Sequence, residues 1–513
     1  MAAARRPIDE HRRMRCSAPL FVVMIALQVR TAVADELVTI RSAVASLSLG
    51  RTVVVSGDPI CASRPLPLFY TRRQFGPAWS AGDRDALLAA VKDAESDGLD
   101  PADYHLASIA RTSDADARDL LLTDAFFLLS SHLLSGRVDP ESIEPTWCLV
   151  PRANDLVAAL ETALELHNVR AMIARMPPAH RDYRALREAL GAYRHMATAG
   201  GWPTLDAGRS LRLGDRGGPV MQLATRLVAS GDLPQASEDF DRSADTAVRR
   251  FQRLHGLATD GVVGPRTRAE LNRTVAERVR QLELNLERWR WLPSNLGDPH
   301  ALINIPAFSL VVVEHDRPVI SMRIVVGKEY RQTPIFSGAI TQVILSPYWN
   351  VPNSIATKEL WPKEHSNPGY LEREHIEVLR GGRLRQRPGP WNALGLIKFN
   401  VPNPYDVYLH DTPARQLFEQ SARAFSHGCM RIEKPVELAT WLLRDRPEWP
   451  RDRIVQQSMR GIQTIVEVKK PLAVHILYWT AFVDFAGELH FSGDIYHRDA
   501  RLDAAMRRPP SRF

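Results

Sequence analysis

Cysteine is scarce in this chain: Cys16, Cys61, Cys148 and Cys429 are the four among 513 residues, and no Cys-x-x-Cys occurs. That scarcity excludes a small disulfide-stapled scaffold and a closed cysteine zinc site. Long apolar runs are lacking too. Residues 18–27 (APLFVVMIAL) form a run of ten, about half of what a bilayer-spanning helix needs. A strong charge of one sign is also missing. The formal charge is +7, and residues 1–34 hold six arginines against Asp9 and Glu10, so the remainder carries only +3. That balance gives no case for nucleic acid, although a weakly positive surface suits an anionic polymer. No internal repeat or low-complexity tract is evident.

The first 34 residues have the layout of an export signal. Arg5, Arg6, Arg12, Arg13 and Arg15 precede the apolar run, and Ala32-Val33-Ala34 offers a small-residue cleavage site before Asp35. Cleavage would leave the protein periplasmic; an uncleaved segment would leave it membrane-associated. No cysteine sits at the cleavage position, which argues against a lipoprotein. Three cysteines then remain, an odd number that leaves one thiol free. Cys429 is the natural odd one, and Cys61 could pair with Cys148.

The length suggests about three domains. Residues 35–205 read as helical: amphipathic patterns cover 83–98, 156–173 and 183–196, and the nearly all-apolar stretch 117–135 reads as a buried core helix. Gly200-Gly201-Trp202-Pro203 reads as a linker. Residues 206–275 form a small three-helix unit, with helix stops at Gly256 and turns at Asp260-Gly261 and Gly264-Pro265. Residues 276–299 read as a linker helix. From 300 to 513 the apolar period is mostly two. Strands are expected over 301–314, 318–327, 339–346, 393–399 and 406–410, and a helix over 436–443. Between 353 and 390 the pattern breaks into polar sequence with Pro and Gly, as expected of a lid or a disordered insertion.

The chemistry concentrates late in the chain. Cysteine is a strong nucleophile only as thiolate, so it needs a base or a positive field beside it. In Asp406-Val407-Tyr408-Leu409-His410, alternation sends Val407 and Leu409 to the core and puts Tyr408 and His410 together on the other face. The carbonyl of Asp411 could hold the imidazole through Nδ1 and leave Nε2 for the thiol of Cys429. Gly428 lets the backbone approach a reacting carbonyl closely, and the amides of His427, Gly428 and Cys429 are candidates for an oxyanion hole.

Ser426-His427-Gly428-Cys429-Met430-Arg431, with a strand histidine upstream, resembles the L,D-transpeptidase (YkuD-type) catalytic domain. The run from Ala247-Val248 through Phe251-Gln252 and Gly256-Leu257 to Asp260-Gly261 and Gly264 resembles a peptidoglycan-binding domain. Trp349-Asn350-Val351-Pro352, Arg387-Pro388-Gly389-Pro390, Asn392-Ala393-Leu394-Gly395 and Lys398-Phe399 look like the large YcbB-like subfamily. The resemblance implies an α+β multidomain chain: a helical scaffold, a three-helix peptidoglycan-binding domain and a mostly-β catalytic domain with a capping insertion at 353–390.

It further implies that Cys429 attacks the L-centre carbonyl of diaminopimelate in a tetrapeptide stem and releases D-Ala. The acyl group then passes to the D-centre amine of a second stem, which makes a 3-3 cross-link. His410 would be base and then acid. Arg431, Tyr408, Trp349 and Ser426 would bind substrate, with Arg431 as a bidentate carboxylate fork. No cofactor and no metal are implied; the partners are donor and acceptor stem peptides and proteins of cell-wall synthesis. Carbapenems would acylate Cys429.

The same acyl-enzyme could instead pass to water or to a wall-protein lysine. A thiol peptidase of the papain type is disfavoured because there Cys precedes His in the chain. A non-catalytic wall-binding protein would need only the small helical domain, and the Cys-His pair argues against it. A zinc protein has too few ligands in His427 and Cys429.

Overall fold

The computed structural model describes residues 38–513 except 148, 150 and 151. The expected export signal and Cys148 lie outside the described residues. No helix among them is long and apolar enough to cross a membrane.

The helical part is organised around α1 (Ala115–Ser135), which is buried on nearly every side. Asp114 caps it by accepting from Ala117 N. The acidic residues buried in this apolar helix are engaged, whereas the buried Ser130 hydroxyl has no hydrogen-bond partner among the described residues. Asp124 accepts from the backbone N–H of Cys61 at 3.0 Å and of Ala62 at 2.6 Å, and meets His105 Nε2 at 2.7 Å. Asp119 accepts from the Tyr70 hydroxyl at 2.6 Å. Most buried polar groups are satisfied in this way. The expected Cys61–Cys148 bridge is corrected here. Cys61 carries a free, buried thiol that contacts the carbonyls of Pro59 and Pro510, and burial with the neighbouring Asp124 pushes its pKa up to about 12. The pattern over 156–173, which reads as one helix, is two: Leu156–Glu165 and Val169–Ile173.

The small unit has its own core, built from Val220, Leu223, Leu227, Phe240, Phe251 and Leu271 among others. The expected linker helix proves to be a structural centre. α2 (Val275–Arg290) opens on a capping box between Thr274 and Glu277 and is buried along most of its length. Arg290 and Glu287, both fully buried, pair at 2.5 Å, and Arg290 also reaches the carbonyl of Asp97 and the hydroxyl of Tyr183. One hydrophobic cluster runs from Tyr183, Leu186 and Leu190 of the helical part through Leu282, Leu286 and Trp289 into the strands beyond.

The main sheet contains β1 (His300–Asn304), β2 (Ser309–Glu314), β3 (Arg317–Gly327), β4 (Phe336–Leu345), β5 (Ile397–Asn400), β6 (Leu409–His410), β7 (Ala424–Ser426), β8 (Met430–Ile432) and β9 (Thr464–Leu477). Its order is β7-β3-β8-β6-β5-β4-β9-β1-β2, and β2 also pairs with β3, so the sheet closes on itself. The single strand expected over 301–314 is a hairpin instead, because Phe308 adopts φ +53° at a tight turn. Helix Pro435–Leu442 covers the sheet through Leu438, Ala439 and Leu442. The insertion is a folded subdomain: strands Trp349–Asn350, Ile376–Val378 and Leu384–Gln386 form a separate sheet under short helices between Asn353 and Arg373. Its own core holds Ile355, Leu360, Leu371, Ile376 and Leu384.

Candidate active site

Register places the site residues. β5 and β6 are antiparallel with Lys398 opposite His410; β6 and β8 are parallel with His410 opposite Arg431. Paired residues share a face, so Lys398, His410 and Arg431 form one row across three strands. Val407, Leu409, Ile397 and Phe399 alternate with them into the core. The main-chain N–H of Met430 donates to the carbonyl of Tyr408 at 3.0 Å, which sets Cys429 beside Tyr408. These residues line a cavity of about 730 Å³ whose other wall is the insertion, with Trp349, Ser354 and Glu359.

The sulfur of Cys429 points at segment 406–408. Its Sγ lies 3.7 Å from the carbonyl of Asp406, and Tyr408 lies near enough to bear on its titration. Burial raises the pKa of this thiol, while Tyr408 and the charge of Lys398 pull it down. Tyr408 itself is pushed upward, by burial first and then by the facing sulfur. His410 is buried, and its Nδ1 meets the carbonyl of Asp411 at 2.5 Å. Burial, reinforced by the charges of Arg431 and Lys398, lowers its pKa to about 3, against the opposing carbonyls of Asp411 and Leu394. The imidazole is therefore neutral at neutral pH; Nδ1–H donates to Asp411 and Nε2 is the basic nitrogen.

The loop that carries the cysteine is held from inside. Ser426 Oγ donates to the carbonyl of Cys429 at 2.5 Å and accepts from Gly428 N at 3.1 Å. Gly428 has φ +120°, which a side chain rarely adopts. Thr333 Oγ1 donates to the Gly428 carbonyl at 2.8 Å. Two expectations change on this geometry. The buried Ser426 hydroxyl is consumed within the loop rather than turned to a ligand, and the Gly428 amide is already bonded, which leaves the amides of His427 and Cys429 for an incoming oxyanion.

His427 turns toward the insertion, where its Nε2 meets Glu359 at 2.7 Å. Asp411 is anchored by Arg415 at 2.9 Å and by Leu396 N at 2.9 Å. Arg431 has a buried Nε without a hydrogen-bond partner and forms no ion pair among the described residues. An unpaired cation in a desolvated cleft is costly unless an anion comes to it. Arg385 and Arg387, which could have met acidic stems, both pair with Glu377, at 2.7 and 3.0 Å. Sequence reasoning missed Lys398, Glu359 and Asp406 as parts of the site. The first could have been found from its place between the core-facing Ile397 and Phe399; the other two have no local signal.

Three family models match: a scaffold domain over residues 64–190, a "Putative peptidoglycan binding domain" over 216–271 and the L,D-transpeptidase catalytic domain over 298–467. The chain therefore carries a YkuD-type L,D-transpeptidase catalytic domain beside a peptidoglycan-binding domain, on a helical scaffold. Among curated relatives it is similar to a "Putative L,D-transpeptidase" of Haemophilus influenzae, with 30% identity over 249 residues, which are 44% of this chain and 50% of that protein. It is also similar to the N-acetylmuramoyl-L-alanine amidase CwlM of Mycobacterium tuberculosis, with 38% identity over 76 residues, 13% of this chain and 19% of that one. The chain thus spans half or less of the curated relatives it matches. Among solved structures it resembles an L,D-transpeptidase of Xylanimonas cellulosilytica (16% identity, 53% of this chain and 99% of that one, TM-score 0.19). Another is that of Stackebrandtia nassauensis (13% identity, 54% and 96%, TM-score 0.22).

Proposed function

We propose that this protein is an exported L,D-transpeptidase that forms 3-3 cross-links in peptidoglycan through an acyl-enzyme on Cys429. One observation carries the reading: Cys429, the neutral His410 and the unpaired Arg431 share one cavity, roofed by a folded insertion.

The thiol proton passes to His410 Nε2 as the sulfur attacks the L-centre carbonyl of diaminopimelate in a tetrapeptide stem. Negative charge on that oxygen meets the amides of His427 and Cys429. Collapse breaks the bond to D-Ala, whose nitrogen takes the proton from His410. The thioester is then attacked by the D-centre amine of a second stem; His410 takes the amine proton, and the thiol is restored as the new amide forms. Arg431 receives a stem carboxylate, and Tyr408 and Trp349 bound the donor. The 353–390 cap excludes water, which favours an amine over hydrolysis.

The test is mass analysis of muropeptides after incubation with wild-type protein and with Cys429→Ala. Cross-linked dimers and free D-Ala are expected from the first alone. Products from a folded alanine variant would overturn the reading.

A further inference from the structure

Lys398 has a place in the cavity that the reaction just proposed does not use. It lies between Ile397 and Phe399, both fully buried toward the core, so its side chain leaves the opposite face of β5, where it lines the cavity. Its Nζ stands 3.8 Å from the centre of the Tyr408 ring, and that ring lines the same cavity as the Cys429 sulfur. Across the sheet it is the mirror of Arg431, with His410 between them. The cavity is thus flanked by two cations on either side of the base.

The acids of the cavity do not neutralise Lys398. Glu359 is taken up by His427 at 2.7 Å and by Arg331 at 4.0 Å. Asp406 is near enough for its charge to be felt at Lys398, but no carboxylate comes within ion-pair distance among the described residues, and the ammonium makes no hydrogen bond there. A half-buried ammonium with three donors unused stands over a ring that offers only a cation–π contact. Such an arrangement awaits an anion.

The chemistry of L,D-cleavage says which anion arrives. When the bond before a terminal residue is cut, the terminal carboxylate lies only about 4 Å from the reacting carbonyl carbon, by ordinary bond lengths. A cation within reach of the sulfur is therefore within reach of that carboxylate. Arg431, on the far side of His410, is left for the carboxylate of the residue that stays on the enzyme.

We propose that Lys398 is a specificity-determining residue that receives the terminal carboxylate of the donor stem, an assignment that rests on the transpeptidase reading above. Pairing there also removes the repulsion between that carboxylate and the oxyanion forming one residue away.

The experiment compares two donors, a tetrapeptide stem with a free C-terminal carboxylate and the same stem as its C-terminal amide, on wild type, Lys398→Met and Lys398→Arg. Release of the terminal residue is followed by mass spectrometry, with thermal midpoints as the check on folding. Wild type should prefer the free acid. Lys398→Met should lose on the order of tenfold to a hundredfold in kcat/KM on the acid donor, the usual range for a hydrogen bond to a charged group. The amide donor should lose much less, only the loss common to both donors that follows from removing a charge that lowers the Cys429 thiol, and Lys398→Arg should keep most of the preference. Equal loss on both donors would overturn the assignment, as would a wild-type enzyme indifferent to the carboxylate, a comparison that needs no variant. Wild type releasing a residue from neither donor would overturn the transpeptidase reading, and this assignment with it.

Discussion

Gly395→Ala tests how tightly the base is held. Gly395 sits at φ +61°, and a Cβ placed there would lie 2.5 Å from the Cγ and Oδ2 of Asp411. That carboxylate cannot retreat freely, because Arg415 and Leu396 N hold its two oxygens, each at 2.9 Å. Its backbone carbonyl in turn fixes His410 Nδ1. The left-handed backbone costs an alanine about 1–2 kcal/mol, and the overlap adds about 1–3 kcal/mol, so a total of about 2–5 kcal/mol is expected. Gly381 is the control: its φ is +81° with no atom within 4 Å of a built Cβ, so its alanine variant should lose only the backbone part, about 1–2 kcal/mol. Guanidinium unfolding measures both. Because a misplaced imidazole is felt strongly in the rate, kcat should fall about a hundredfold in Gly395→Ala and not at all in Gly381→Ala. Equal destabilisation of the two variants, or full activity in Gly395→Ala, would refute the reasoning.

Three further outcomes are expected. Intact-protein mass spectrometry after mixing with a carbapenem should show a stoichiometric adduct on wild type and none on Cys429→Ala; labelling that survives the substitution would mean the nucleophile lies elsewhere. Because burial raises the Cys429 thiol and holds His410 near 3, iodoacetamide alkylation should accelerate steadily as pH rises from 6 toward the ordinary thiol range, about 8.5, and beyond. A histidine inflection between pH 5 and 7 would contradict it, since His410 is already neutral throughout that window. Replacing residues 353–390 by a short glycine linker should leave the main sheet folded, because the cap has its own core. It should also shift products from dimers toward tripeptide stems, and an unchanged ratio would count against water exclusion by the cap.

Much of this is legible in the amino-acid sequence. Val407, Leu409 and the face shared by Tyr408 and His410 follow from alternation alone, and α1 follows from an apolar stretch too long for a strand. The failures have physical causes. The hairpin at 300–314 is hidden by its mostly apolar run, although Pro306, after Asn304, marks the turn that ends at the left-handed Phe308. The 353–390 insertion looked like a lid or a disordered loop because its core residues are spaced irregularly. Part of the reason is the π-helical turn Ala356–Leu360, which breaks the helical period. Ser426 looked like a ligand-binding hydroxyl because a sequence cannot tell a hydroxyl that faces a cavity from one that closes its own loop. Alternation between Ile397 and Phe399 puts Lys398 on the site's face, but only register sets it opposite His410.

The helix Val275–Arg290 bears on how this molecule comes apart. Three family models divide the chain, yet the fully buried Arg290–Glu287 pair and the tryptophans Trp289 and Trp291 belong to none of them. Cutting the chain between the scaffold and the sheet would leave the pair itself intact on its helix but would strip Arg290 of the Asp97 carbonyl and the Tyr183 hydroxyl, a loss on the order of 1–3 kcal/mol for each hydrogen bond to a charged group. The scaffold and the catalytic sheet should therefore melt in a single transition, and an isolated fragment 298–467 should be sticky and poorly soluble. A single transition would mean that the family modules and the folding units of this protein do not coincide.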